Sequence, residues 1–194
     1  MQLQFAKYLK EAGLTDDVIR ETSSLAIPRT LRRNEVLLQA GEVCRHKVFI
    51  AKGLLRTFVT GATGNEHILQ FSPELTWTLD VESYDKGTPS EINIVATEAS
   101  EVMLWNKEDF NSLLAEFPLL KNFSQQLISR NIYSSRQRIA TALSATPEEK
   151  YEDFVHKFPN LLSRLPLHMI ASYLGISLKT LTRIRHVQLY RELK

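Results

Sequence analysis

Apolar residues recur with three different spacings along the chain. From Gln2 to about Ser24, Phe5, Leu9, Leu14, Val18 and Ile19 follow a loosely helical period that Gly13 interrupts, which predicts two short helices. From Thr30 to Trp105 the apolar positions alternate or come in short runs. Val36–Leu38, Val48–Ile50, Leu54-Leu55, Phe58-Val59, Ile68-Leu69, Ile94-Val95 and Val102–Leu104 are separated by turn residues at Gly41, Gly53, Gly61, Gly64 and Gly87-Thr88-Pro89. Many short strands at close spacing predict a β-sandwich or barrel. Only the stretch from Pro73 to Tyr84 departs from this pattern, and a short helical turn fits there.

From Lys107 the period is helical. Glu108–Phe117 reads as a short helix, and Pro118 suits the first turn of the next. No Gly or Pro follows until Pro147, which allows a helix from Pro118 to about Leu143, roughly 39 Å long. Leu120, Phe123, Leu127 and Ile128 form an apolar stripe, continued more weakly by Ile132 and Ile139. A β domain alone is too short to cover such a helix, so pairing with a second copy is expected; packing on the β domain is the alternative. Pro147 marks a linker, and helical segments are predicted at Glu148–Phe158 and about Asn160–Arg164.

The segment LHMIASYLGISLKTLTRIRH, Leu167 to His186, carries the most information. Two short helices meeting at a steep angle need a small residue where they press together, and Ala171 supplies it. The turn needs a residue that tolerates positive φ, and Gly175 supplies that. Ser177 can cap the second helix by accepting a backbone N–H of its first turn. Ile170, Leu174, Ile176, Leu181 and Ile184 occupy the positions that must be buried. On the second helix, read as Leu178–Tyr190, Leu178, Leu181, Ile184 and Gln188 share one side, and Lys179, Thr182, Arg183 and His186 share the other. That outward set suits base reading and phosphate gripping in a DNA major groove, with Arg185 on the flank within reach of a phosphate.

Charge supports a division of labour. The chain is 43% hydrophobic and 24% charged, with a net charge of +2. Residues 1–129 hold 13 Lys/Arg against 17 Asp/Glu, whereas residues 130–194 hold 11 against 5. A basic C-terminal third on an acidic body fits a nucleic-acid contact, or more simply a solvated basic face. The single cysteine, Cys44, excludes a disulfide within the chain, a four-thiolate zinc site and an all-cysteine iron–sulfur cluster. No apolar run reaches the length of a membrane span, and the start MQLQFAKYLKEAGL carries charges where a signal peptide needs an apolar core. A soluble cytoplasmic protein that makes no use of a membrane is expected.

With these residues in place, the chain resembles the Crp/Fnr (cyclic-AMP receptor protein-like) family of transcription regulators. The order of elements is theirs, LLQAGEVCRHKVFIAKGLLRTF is similar to their opening strands, and Gly41 and Gly53 stand at the family's glycine turns. The resemblance implies an α+β fold. Residues 1–117 would form an effector-sensing β-roll, a cyclic-nucleotide-binding-like jelly roll with N-terminal helices. Residues 118–143 would form a dimerisation helix, and residues 144–194 a helix-turn-helix domain. It also implies a homodimer on double-stranded DNA, with RNA polymerase as a further partner if the protein activates transcription. Lys179, Thr182 and Arg183 fall on the family's principal base-reading positions. Lys179 stands where well-studied members carry glutamate, so their operator sequence does not transfer. The β-hairpin wing usual after the recognition helix is expected to be missing or vestigial.

The effector is less legible. Cyclic-nucleotide-binding members carry Gly-Glu and then Arg-Ser or Arg-Thr, which neutralise the cyclic phosphate and hold the ribose. The corresponding stretch here, TWTLDVESYDKGTPSEINIVA, has neither pair, and Ser90-Glu91 stands where Arg-Ser would be. Cyclic nucleotide is therefore not expected and no cofactor is assigned. Trp77, Ser83, Tyr84, Ser90 and Glu91 are the candidate lining of a pocket for another small effector. A haem-ligating role for His67 is disfavoured, since a lone histidine is far more often packed or solvated. Catalysis is not expected either: the five histidines, His46, His67, His156, His168 and His186, lack the pairing of a cupin-like metal site, and no hydrolase, P-loop or Rossmann motif is present. The alternative function is a ligand-binding regulatory module that does not bind DNA.

Overall fold

The computed structural model describes residues 1–192, with side chains through Gln188. Two compact units are present, one of residues 1–60 and 69–128, the other of residues 61–68 and 129–194.

The first unit opens with α1 (Gln2–Glu11) and α2 (Asp16–Ser24). Gly13 adopts φ +86 between them, which ends the first helix as the sequence suggests. The strands β1 (Ile27–Leu31), β2 (Val36–Leu38), β3 (His46–Lys52), β4 (Leu55–Thr60), β5 (Glu66–Ser72), β6 (Thr76–Thr78), β7 (Asn93–Ala96) and β8 (Ser100–Asn106) form two four-stranded sheets. Their orders are β1-β8-β3-β6 and β2-β7-β4-β5. A short helix, α3 (Val81–Lys86), lies between β6 and β7, somewhat later than the turn expected at Pro73–Tyr84. α4 (Lys107–Glu116) and the 27-residue α5 (Pro118–Ser144) follow β8.

Strand parity builds two cores. Val48 and Ile50 of β3, with Val102 and Leu104 of β8, point into the roll, where they meet Leu31, Leu38, Leu55, Ile94 and Ala96. Phe49 and Ala51, with Met103 and Trp105, point the other way, into a cluster with Phe5, Leu9, Val18, Phe110 and Leu120 of the helices. This second cluster is aromatic: Phe5 lies 4.9 Å from Phe49 and 5.0 Å from Trp105 between ring centres, and Trp77 lies 5.1 Å from Trp105. The Trp105 indole N–H donates to the Thr22 carbonyl at 2.7 Å, so its one polar atom is satisfied.

In the second unit, α6 (Pro147–Lys157) starts at a capping box in which Thr146 and Glu149 satisfy each other's backbone N–H groups. α7 (Leu167–Leu174) and α8 (Leu178–Glu192) complete a small bundle around Tyr151, Phe154, Leu161, Ile170, Leu181 and Ile184, all buried. The helical segment expected near Asn160–Arg164 is instead a run of turns, closed by Leu161 N–H to Phe158 O and Leu165 N–H to Leu161 O. The wing expectation falls on residues that lie outside the described ones.

One half-buried charge stands out in the first unit. Lys47, on the helix-facing side of β3, sits 4.3 Å from the Phe110 ring centre and donates to the Ser124 hydroxyl of α5 at 3.0 Å. Burial pulls its amine down from 10.5 to about 8, with the Asp85 carboxylate acting the other way. The folded protein thus releases this proton before the unfolded chain does, and wild-type stability gains with pH between those two values. Lys47→Met should abolish that gain. In urea titrations, the stability difference between variant and wild type should change by up to about 3 kcal/mol between about pH 7.5 and 10.5. Parallel pH profiles for the two proteins would refute it.

Candidate nucleic-acid interface and effector cavity

The helix-turn-helix closes as its sequence dictates. Gly175 takes the left-handed conformation, φ 66 and ψ 34, and its N–H returns to the Ala171 and Ser172 carbonyls. The Ser177 hydroxyl accepts the Thr180 N–H at 3.0 Å, capping α8. Leu181 and Ile184 are fully buried beneath α8. Lys179, Thr182, Arg183 and His186 are exposed, and Arg185 is half-buried on the flank. Leu178 departs from the expected buried side and is 48% exposed, because it lies in the first turn, ahead of the helix contact. The Thr182 hydroxyl donates back to the Leu178 carbonyl at 2.9 Å.

Two features of this unit had no sequence signal. Arg183 makes an ion pair with Glu148 of α6 at 2.8 Å, and the guanidinium holds that carboxyl below its ordinary range. Both side chains are solvated, so the pair orients Arg183 more than it stabilises the fold. The start of β5, which belongs to this unit, is also tied to α7. Ser172 Oγ donates to Glu66 O at 2.7 Å and accepts the Ile68 N–H at 3.1 Å. Arg138 of α5 donates to the Ile68 and Tyr173 carbonyls and stacks 4.1 Å from the Tyr173 ring centre. Most of these partners are backbone atoms distant in sequence, which no side-chain pattern announces.

The stripe chosen for helix pairing is only partly free. Leu120 is buried in the aromatic core of its own unit, and Phe123 and Leu127 pack against that core. This corrects the assignment of Leu120 to the pairing face, while Phe123 and Leu127 remain partly exposed. Further along α5, Ile128, Ile132 and Ile139 are 53%, 47% and 60% exposed. With Ser135 and Ala142, also exposed, they recur at alternating steps of four and three residues, the spacing of a coiled-coil seam.

The residues expected to line an effector pocket are largely committed to other contacts. Trp77 belongs to the aromatic core on the helix side of the sheet, since it pairs with Phe49 across β3 and β6 and so faces away from the roll. Tyr84 is packed in the roll interior, where burial pushes its phenol up to about 12. Ser83 accepts the Cys44 N–H at 2.8 Å and donates to Thr88 O at 2.6 Å. Ser90 donates to Asp80 Oδ2 at 2.7 Å, while Asp80 Oδ1 caps α3 through the N–H groups of Glu82 and Ser83. Glu91 is exposed. None of the five lines the cavity that the roll does contain.

That cavity has a volume of about 450 Å³. Its apolar wall is Leu37, Leu38, Val48, Leu79, Ile94 and Leu104, and Arg29, Glu42, Arg45 and His46 supply its charged and polar side chains. Parity could have found two of these: Arg29 lies two residues before the buried Leu31, and His46 two before the buried Val48.

Residues 28–117 match the model of the cyclic nucleotide-binding domain. The chain is 24% identical over 191 residues to the transcriptional activator FnrA of Stutzerimonas stutzeri, a match covering 91% of this chain and 73% of that protein. Among solved structures, the c-di-GMP-responsive global regulator CLP of Xanthomonas campestris superposes with a TM-score of 0.76 at 10% identity, covering 92% of this chain and 94% of that one. The catabolite activator protein of Thermus thermophilus gives 0.59 at 20% identity, covering 93% and 86%. The Crp/Fnr resemblance and the α+β β-roll fold with its C-terminal helix-turn-helix are borne out, and the curated relative is a transcription activator rather than an enzyme. Among the described residues, no helix is long and apolar enough to cross a membrane.

Asp80 and Ser90 are bonded to each other in the stretch where the family resemblance would place a cyclic-phosphate clamp, and a carboxylate there would repel a phosphate. Calorimetry with cyclic AMP and cyclic GMP is therefore expected to give no binding at micromolar ligand. A micromolar or tighter site for either nucleotide would overturn this.

Proposed function

We propose that this Crp/Fnr-like chain, built on a cyclic nucleotide-binding fold, is a dimeric DNA-binding transcription regulator of the cytoplasm whose β-roll senses a small effector other than a cyclic nucleotide. The observation that carries the reading is α8 itself. Its inner residues Leu181 and Ile184 anchor it completely, and the same helix turns Lys179, Thr182, Arg183 and His186 to solvent. A helix held that rigidly and presenting donors along one face suits insertion into a major groove. The exposed α5 seam from Ile128 to Ala142 favours a parallel pair, which would set two α8 helices about one DNA turn apart, roughly 34 Å, on a two-fold symmetric site. If the protein activates transcription, as FnrA does by its name, RNA polymerase is the further partner.

On this reading Arg183 is the bidentate reader of guanine, Lys179 contacts guanine or phosphate, and Thr182 and His186 complete the reading face. Ser177 lies at the helix N-terminus near the backbone and Arg185 grips phosphate. Glu148 holds Arg183 extended from one side and must share it on binding.

Selection of bound genomic fragments would test DNA binding and yield the half-site. On the selected site, Arg183→Ala should cost about 1–3 kcal/mol and relax preference at one base pair. Arg185→Ala should weaken all sequences alike and lower the salt slope by about one per subunit. Equal affinity and preference for Arg183→Ala and wild type would sink the assignment of the reading face. For the dimer, Ile132→Glu should convert the sedimenting species to a monomer of about 22 kDa, because each copy would bury an unpaired carboxylate in the seam. A wild type that sediments only as the monomer at micromolar concentration would refute the pairing.

A further inference from the structure

We propose that the cavity of the β-roll takes a small amphipathic monoanion, a carboxylate on an apolar body, held through Arg45 and Arg29. The inference rests on reading the first unit as a sensor and names the class of effector it would sense.

The volume, about 450 Å³, is that of a small-molecule site. Its body is apolar. Leu38, Val48, Ile94 and Leu104 belong to the same inner core that closes the roll, and they continue into the cavity wall instead of filling it. A ligand occupying that space must itself be largely apolar, because no polar group on those four side chains could compensate a desolvated one.

The rim has the opposite character. Arg29 is on β1, the edge strand of its sheet, opposite Val102 of β8, which in turn is opposite Ile50 of β3. Val102 and Ile50 are inner-core residues, so Arg29 stands on the inward face of the sheet at its open edge. His46 precedes Val48 on the same inward face of β3. Arg45, in the loop before β3, also lines the cavity. Both guanidiniums are solvated at the rim, Arg29 in an ion pair with Glu35 at 3.0 Å and Arg45 exposed, so they meet a ligand's charge at the mouth while its apolar body enters the cavity.

With Arg29 already paired to Glu35, Arg45 is the guanidinium of the lining left for one negative charge. The lining holds two guanidiniums against one carboxylate, Glu42. Glu42 is turned to the Gln39 N–H at 3.1 Å, and Glu35, outside the lining, takes one donor of Arg29 at 3.0 Å. A guanidinium has five N–H donors, so Arg29 retains others. Arg45 is exposed, lines the cavity and is the principal anion partner. A dianionic phosphate would face Glu42 with too little positive charge, whereas a carboxylate fits the planar fork of an arginine.

The test is calorimetry on the intact protein, without DNA, using decanoate and 4-phenylbutyrate, each against its primary amide. At least one carboxylate should bind tenfold or more tighter than its amide. Arg45→Gln, at an exposed site that leaves the fold intact, should weaken that binding five- to tenfold. Arg29→Gln should weaken it as well, and Arg45→Lys should restore part of what Arg45→Gln loses. The proposal is overturned if neither carboxylate outbinds its amide, or if binding is indifferent to both arginines. Fragment selection reports separately on the regulator reading: carboxylate binding without DNA binding would remove that reading and leave this one standing, and the converse would remove only this one.

Discussion

The sheet β1-β8-β3-β6 has to be buried on both faces, and much of the first unit follows from that. The middles of its two central strands carry large apolar side chains on both faces: Val48 and Ile50 on one side, Phe49 on the other, and likewise Val102 and Leu104 against Met103 and Trp105. A strand of this kind cannot leave either face in water. The second sheet covers the inner face, and α1, α2, α4 and the first turns of α5 cover the outer one. The fully buried Trp105, with its indole N–H on the Thr22 carbonyl, ties α2 to that outer face.

This constraint also divides α5. Leu120, Phe123 and Leu127 are used within the unit, as part of the cover over the outer face. Beyond them the helix has no sheet to cover, and Ile128, Ile132 and Ile139 are left in solvent at coiled-coil spacing. The helix is thus two apolar faces in series, one intramolecular and the other suited to a second copy. Lys47 lies under the first of them, where its amine is bonded to Ser124 at a cost in charge burial.

The inner face has a different consequence. The roll is closed by aliphatic side chains around a cavity, and the segment that would supply a cyclic-phosphate clamp is internally satisfied. Asp80, Ser83 and Ser90 spend their hydrogen bonds on α3, on the Cys44 N–H and on one another. Cations reach the cavity instead from β1 and from the loop before β3. The same fold can therefore host different effector chemistry without altering either sheet.

What the sequence determined by itself was local. The helix-turn-helix is written in Ala171, Gly175, Ser177, Leu181 and Ile184, because turn conformation, capping and helical period act over a few residues. The succession of short strands and the break at Gly13 were legible for the same reason. What only the tertiary structure decided was which face each residue serves. Trp77 and Ser90 looked like pocket residues, yet strand pairing turns Trp77 to the aromatic core and hydrogen bonding commits Ser90 to Asp80. Leu120 and Leu127 had the period of a pairing stripe, but whether a helix stripe meets a neighbouring sheet or a second helix depends on what else is folded beside it. Arg29 and Arg45 share a cavity, Arg183 meets Glu148, and Arg138 meets the Ile68 carbonyl, only because the chain returns on itself across many residues. Such contacts arise from long-range pairing, and local composition carries no record of them.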